Sequence, residues 1–173
     1  MSKVRVPVIE GYFTEAGGQA RLLGGRCGTC GAFFFPKQYS FCRNPACGAP
    51  DLDDVELSTR GTLWSFTDNR FAPPPPYPAG EPFEPYGVAA VELADEQMIV
   101  LGQLARGTDV GSLRAGQAME LVVEPLYEDD AAVRTVWKWK VSEPRDPGIS
   151  TNRERGPRGP ARRAESGEGG GLT

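Results

Sequence analysis

Four cysteines are the residues of this chain best placed to do chemistry. Cys27-Gly28-Thr29-Cys30-Gly31 and Cys42-Arg43-Asn44-Pro45-Ala46-Cys47-Gly48 form two knuckles separated by eleven residues. The first is C-x2-C-G, the spacing at which two thiolates grip one tetrahedral ion while the following glycine permits a tight turn. The second is C-x4-C-G, one step longer than the common forms. Together Cys27, Cys30, Cys42 and Cys47 make a closed set of four thiolates, the structural kind of zinc site, with no open position for water or substrate. The spacing also admits a rubredoxin-like iron site with the same ligands. Two disulfides or a redox C-x-x-C pair are the remaining readings; reduced thiols and the second pair nearby speak against them. A block of this size, residues 25–50, holds too little core to fold without its metal.

The chain contains no histidine. That removes the Ser-His-Asp triad, the Cys-His dyad and HExxH zinc chemistry. Carboxylates remain, but Asp53-Asp54 and Glu128-Asp129-Asp130 read as solvated charge in linker or turn segments. No catalytic residue is assigned. The formal net charge is −4, which counsels against non-specific binding to nucleic acid. No apolar run reaches the length of a membrane span and the first residues lack a signal-peptide core, so a cytoplasmic protein is expected.

Elements must hold these knuckles. Residues 9–16, with apolar side chains at Ile9, Tyr12, Phe13 and Ala16, suggest a short helix stopped by Gly17-Gly18. Five strand candidates follow the cysteines, at residues 62–67, 86–93, 98–104, 118–124 and 135–141. The last alternates, with Trp137, Trp139 and Val141 on one face and Val136, Lys138 and Lys140 on the other, read as core Trp beside solvated Lys. A hairpin turn at residues 94–97 and a short helical turn within residues 109–116 complete the pattern. Five short strands with a helical break after the third suit a Greek-key barrel of the OB type. Strand count alone also fits an SH3-like barrel or a sandwich. The expected class is mostly β, ordered as N-terminal helical segment (1–24), zinc ribbon (25–50), five-stranded barrel (57–142) and a disordered tail (143–173). That tail carries 11 of the 38 Gly and Pro, and Ile149 and Leu172 are its only large apolar residues, too few to offset ordering entropy.

The insertion at residues 71–85 contains Pro73, Pro74, Pro75 and Pro76 in succession. Such a run stays extended and loses little entropy on docking. It sits between the first two strand candidates, in the loop OB-folds use for ligands. Phe71, Tyr77, Phe83 and Tyr86 supply apolar anchors along it. Two readings stand side by side: a strap over the chain's own barrel, or an arm that docks on a partner. Phe33-Phe34-Phe35 poses the same choice, because three adjacent aromatics cannot all point into so small a ribbon. Phe34, Phe71, Pro75, Tyr77, Phe83 and Tyr86 are the candidate contacts to a partner or substrate channel.

The motifs Arg26-Cys27-Gly28-Thr29-Cys30-Gly31, Phe35-Pro36, Gly61-Thr62-Leu63-Trp64-Ser65-Phe66-Thr67, residues 85–93 and Leu113-Arg114-Ala115-Gly116-Gln117 resemble one family over residues 8–142. Its members join a helical segment and a rubredoxin-like zinc ribbon to an OB-fold, and were formerly grouped as domain of unknown function 35. The C-x4-C knuckle departs from the family's commoner C-x2-C, and the tail has no family counterpart. The proline-rich insertion looks most like the branch that serves aromatic-acid thiolases. The resemblance implies a non-catalytic accessory subunit, with structural Zn2+, in a hetero-oligomer with a thiolase-superfamily thiolase or aldolase, and acyl-CoA at the shared interface. The alternative class is a single-stranded nucleic-acid-binding OB-fold and zinc-ribbon protein.

Overall fold

The computed structural model describes residues 3–37, 40–50, 52–75, 77 and 80–142. The tail expected to be disordered, and Pro76 of the proline run, lie outside the described residues. Ten strands are described: β1 (Val4–Pro7), β2 (Phe13–Thr14), β3 (Arg21–Cys27), β4 (Phe33–Phe34), β5 (Leu52–Glu56), β6 (Arg60–Asn69), β7 (Tyr86–Leu93), β8 (Ile99–Leu104), β9 (Ala118–Glu128) and β10 (Ala132–Val141). Among the described residues the only helical pieces are single 3-10 turns at Ala16–Gly18 and Val110–Ser112.

The helix expected over residues 9–16 is replaced by an extended segment. Gly11 has φ +78°, which breaks a right-handed run. The Tyr12 carbonyl accepts the Leu23 N–H, and Phe13 pairs with Leu22 across β2 and β3. The apolar spacing is therefore satisfied by a two-stranded contact, with Phe13 buried against the main core.

β6 to β10 close a barrel. β6 pairs with β7, β7 with β8, β8 with β10 in parallel, β10 with β9, and β9 returns to β6. That order, with one parallel pair closing an otherwise antiparallel sheet, is the OB arrangement, and it removes the free edges an open sheet would carry. β1 lies parallel to the first half of β10, beyond the stretch that β8 occupies. The turn at residues 94–97 joins β7 to β8, and Leu113, after the second 3-10 turn, is almost fully buried as a plug.

Inside the barrel Leu63, Val91, Val100, Met119 and Trp139 are all within 2% of full burial. Gly102 of β8 makes room for the Trp139 indole, since a Cβ there would lie 2.9 Å from its Cδ1. The same core runs on through Leu57, whose N–H donates to the Leu22 carbonyl, into Leu22 and Phe13 beneath the ribbon. Ribbon and barrel thus share one apolar interior rather than two.

In β10 Trp139 is buried as read, but Lys138 is buried too, 5% exposed, instead of solvated. Its ammonium lies 3.2 Å from the Glu124 carboxylate. Gln103, its register partner on β8, donates to the Tyr77 hydroxyl from the insertion. The outward face of the strand is correct; what alternation does not reveal is that a distant loop roofs it.

Candidate metal centre and the roofed barrel face

The first knuckle begins where β3 ends. β3 pairs with β5 from Leu23–Glu56 to Cys27–Leu52, so the sheet register fixes the position of Cys27. The Cys27 N–H donates to the Ala32 carbonyl and the Gly31 N–H to the Cys27 carbonyl, closing a turn in which Gly31 takes φ +74°. The second knuckle is built around Asn44. Its side-chain oxygen accepts the Ala46 N–H, its carbonyl accepts those of Cys47 and Gly48, and its amide donates to the Cys30 sulfur at 3.7 Å. This Asx turn folds the longer C-x4-C spacing back on itself, so the extra residues do not widen the site. Cysteine spacing alone does not reveal Asn44; an Asn before Pro inside the knuckle is its visible signal.

The four sulfurs converge. Cys27 and Cys47 lie 3.8 Å apart and Cys30 and Cys42 3.6 Å apart, and all four are within 4.8 Å of one another. A tetrahedron of thiolates about 2.3 Å from one ion has edges of roughly 3.8 Å, which the Cys27–Cys47 and Cys30–Cys42 separations match, so the donor set suits a tetrahedral metal. Cys27 and Cys42 are buried, Cys47 is half-buried and Cys30 faces solvent.

Electrostatics make the same point. The backbone N–H of Cys30 leads in lowering the Cys27 thiol to about 7, against burial and with help from the Thr29 N–H. Burial pushes Cys42 up to about 12, and the neighbouring thiols add to it. At Cys47 the Ala49 N–H pulls downward, but burial and the Cys30 and Cys27 thiols prevail and the group is raised. Without a cation between them Cys42 and Cys47 keep their protons at neutral pH, so a metal ion entering the site displaces those protons as it binds.

The acids read as loose charge have positions of their own. Asp53 and Asp54 lie in β5, not in a linker, and Asp54 forms an ion pair with Lys37. Asp129 accepts the N–H groups of Ala131 and Ala132 and the Arg134 guanidinium at 2.7 Å. These contacts, the Arg134 hydrogen bond first, hold its carboxyl below the usual range.

The candidate contact residues divide. Tyr77 stacks on Tyr86 with ring centroids 5.9 Å apart, and Phe83 meets Tyr86 edge-on. Burial, then the charge and hydrogen bond of the Tyr77 phenol, raise the Tyr86 phenol. These three lie beside an open groove of about 810 Å³ that reaches Gln103, Arg106 and Lys138. Phe71 is 83% exposed and Pro75 is exposed. Phe34 is half-buried in β4, paired with Gly25. It is Phe35 that crosses to the barrel, onto Trp137.

A four-cysteine ribbon continuous with a closed OB barrel defines a two-part class of zinc-ribbon/OB-fold proteins. Residues 14–53 match the family model described as ChsH2, rubredoxin-like zinc ribbon domain, and residues 54–124 match ChsH2, C-terminal OB-fold domain. The benzoylsuccinyl-CoA thiolase subunit BbsA of Thauera aromatica is 37% identical over 115 residues, which span 66% of this chain and 72% of that protein. The solved Ltp2-ChsH2(DUF35) aldolase is similar with a TM-score of 0.52 at 27% identity, covering 70% of this chain and 84% of that chain. The chain belongs to the ChsH2 family of zinc-ribbon and OB-fold proteins. Among the described residues no helix is long and apolar enough to cross a membrane.

Proposed function

We propose that this chain is a non-catalytic accessory subunit of a thiolase-superfamily complex that acts on acyl-CoA thioesters. The observation that carries the reading is a closed four-cysteine centre in a chain without histidine. All four thiols are taken up as ligands, and Asp54 and Asp129 are engaged in ion pairs. The partner supplies the reacting groups. The relatives support the assembly, since one is a thiolase subunit by name and the other belongs to an aldolase.

Cys27, Cys30, Cys42 and Cys47 hold Zn2+ in this reading. The ion contributes folding free energy to the ribbon and takes no part in turnover. Of the candidate contacts, exposed Phe71 and Pro75 stand toward the partner together with Phe34 of the ribbon, while Tyr77, Phe83 and Tyr86, packed on one another over the barrel, form the wall of the groove beneath. The groove under the arm, where Arg106 lies, is the part of this chain that meets an acyl-CoA at the shared interface.

Co-expression with the thiolase-superfamily proteins of the host tests the assembly. The expected result is a stoichiometric hetero-oligomer on size exclusion, carrying one zinc per copy of this chain and colourless in the visible. A monodisperse monomer beside an independently active thiolase sinks the subunit reading, and a red, iron-bearing protein overturns zinc. The single-strand-binding alternative is disfavoured by Trp139 and Lys138 being buried and by Trp137 being packed against Tyr12, Phe13 and Phe35, which leaves that strand no stacking platform.

A further inference from the structure

Among the described residues the arm covers one end of the outer face formed by β6, β7 and β8. The cross-strand register places Val88 beside Gln103, and Gln103 is held by Tyr77 of the arm. The next outward-facing row along the same strands contains Ser65, Ala90 and Leu101, and the row after that Thr62, Glu92 and Ile99. β6 bulges between Leu63 and Ser65, and the extra residue is Trp64. A bulge re-aims a side chain, and here it adds an indole to the outward row. Trp64 is 62% exposed, Leu101 63% and Ile99 43%, whereas the inward neighbours Leu63, Val91 and Val100 are buried. Glu92 is exposed, and among the described residues no cation pairs with it. Three large apolar side chains around one unpaired carboxylate form a small exposed patch with no function in the barrel itself.

We propose that this uncovered face of β6, β7 and β8 is the docking surface for the thiolase-superfamily subunit, which meets it with an apolar patch carrying Arg or Lys opposite Glu92. The inference rests on the assembly proposed above and adds where it forms. The chain's own last 31 residues do not suit the face, because Ile149 and Leu172 are their only large apolar side chains. A second copy does not suit it either. A symmetric contact would bring two Glu92 carboxylates into one apolar patch of an acidic chain, where like charges repel. A different chain with a basic side chain has the complementary charge. The area points the same way: three side chains are the centre of an interface, not the whole, since stable ones need about 800 Å² per partner. Trp is the residue type most enriched among the anchors that dominate such interfaces.

The test co-expresses the full chain with the host's thiolase-superfamily proteins and measures complex formation by size exclusion and titration calorimetry. The variants are Trp64→Ala, Leu101→Arg and Glu92→Arg, each checked for bound metal and an unchanged melting temperature. Glu92→Arg removes no packing and so keeps the test valid if an apolar variant misfolds. The expected result is a wild-type complex weakened roughly 30-fold or more by Trp64→Ala and by Leu101→Arg, with Glu92→Arg also weakened. A wild-type complex that all three folded variants form equally well overturns the docking face and leaves the subunit reading standing. No complex with wild type overturns both. A concentration-dependent dimer of the chain alone, dissolved by Leu101→Arg, overturns the proposal in favour of self-association.

Discussion

The Phe35 ring of the ribbon meets the Trp137 ring of β10 edge-on, with centroids 5.5 Å apart and planes at 88°. Tyr12 and Phe13 complete the cluster, each within 6.2 Å of Trp137. The Trp137 indole N–H donates to the Leu101 carbonyl of β8, which locks the ring. Through this contact the cysteine knuckles bear on the closing strand of the barrel.

Trp137→Ala therefore removes the ribbon's anchor. Because Trp137 is only half-buried, the cost falls at or below the lower end of the range for large aromatic truncations, about 2–3 kcal/mol. Trp137→Phe, which keeps the ring contact but loses the hydrogen bond, costs about 1 kcal/mol. Urea unfolding followed by circular dichroism measures both; equal effects would refute the aromatic-clamp account.

Metal removal is expected to be felt in the barrel. Cys30→Ser should abolish stoichiometric zinc, and a strong chelator should do the same to wild type. Leu22, Leu57 and Phe13 belong to the barrel's own core cluster, so loosening β3 loosens the shared interior. Hydrogen exchange should accelerate through residues 21–56 and, less, through β10. A metal-free protein that keeps full ribbon protection would contradict a structural metal.

Lys138 and Glu124 are a pair that tolerates no half-measures. Lys138 has a side chain 6% exposed, and Glu124 also accepts the Arg106 N–H. Glu124→Ala leaves a buried ammonium unpaired and should cost about 3 kcal/mol or more. Replacing both at once, Lys138→Met with Glu124→Leu, should cost much less than that. Thermal melts of the single and double variants decide; additive losses would mean the two groups do not act on each other.

Acid should expose the contribution of Asp129. Its folded pKa lies below the unfolded value of about 3.9. A depressed carboxylate stabilises fully above the unfolded pKa, and that stabilisation is lost as pH falls through the folded value. Asp129→Asn should therefore melt lower than wild type at pH 7, and the gap should narrow as pH falls below the unfolded value. A gap of constant size from pH 7 to pH 2.5 would assign the effect to the two backbone N–H groups that Asp129 accepts rather than to charge.

Much of the molecule was legible in one dimension because its signals are local. The four cysteines announce their site by spacing, and the five barrel strands as apolar segments between turn residues, the last of them by alternation; β7 coincides with the segment read at residues 86–93. The N-terminal helix failed for a physical reason. Apolar residues at 9, 12, 13 and 16 satisfy a helical period, but Gly11 and the pairing of Phe13 with Leu22 give the backbone hydrogen bonds across strands instead. β1 and β5 carry no local signal because each is short and borrows its order from a distant strand, β10 and β3.

The sequence by itself determined the set of four thiols, the raw material of the OB strand order and the absence of imidazole chemistry. It could not determine which outward side chains are covered. Lys138 and Leu101 both sit on outward positions of barrel strands, yet one is buried under the arm and the other is open. Only the closed tertiary structure decides that, because covering is done by residues some tens of positions away, while alternation records only which side of its own strand a residue occupies.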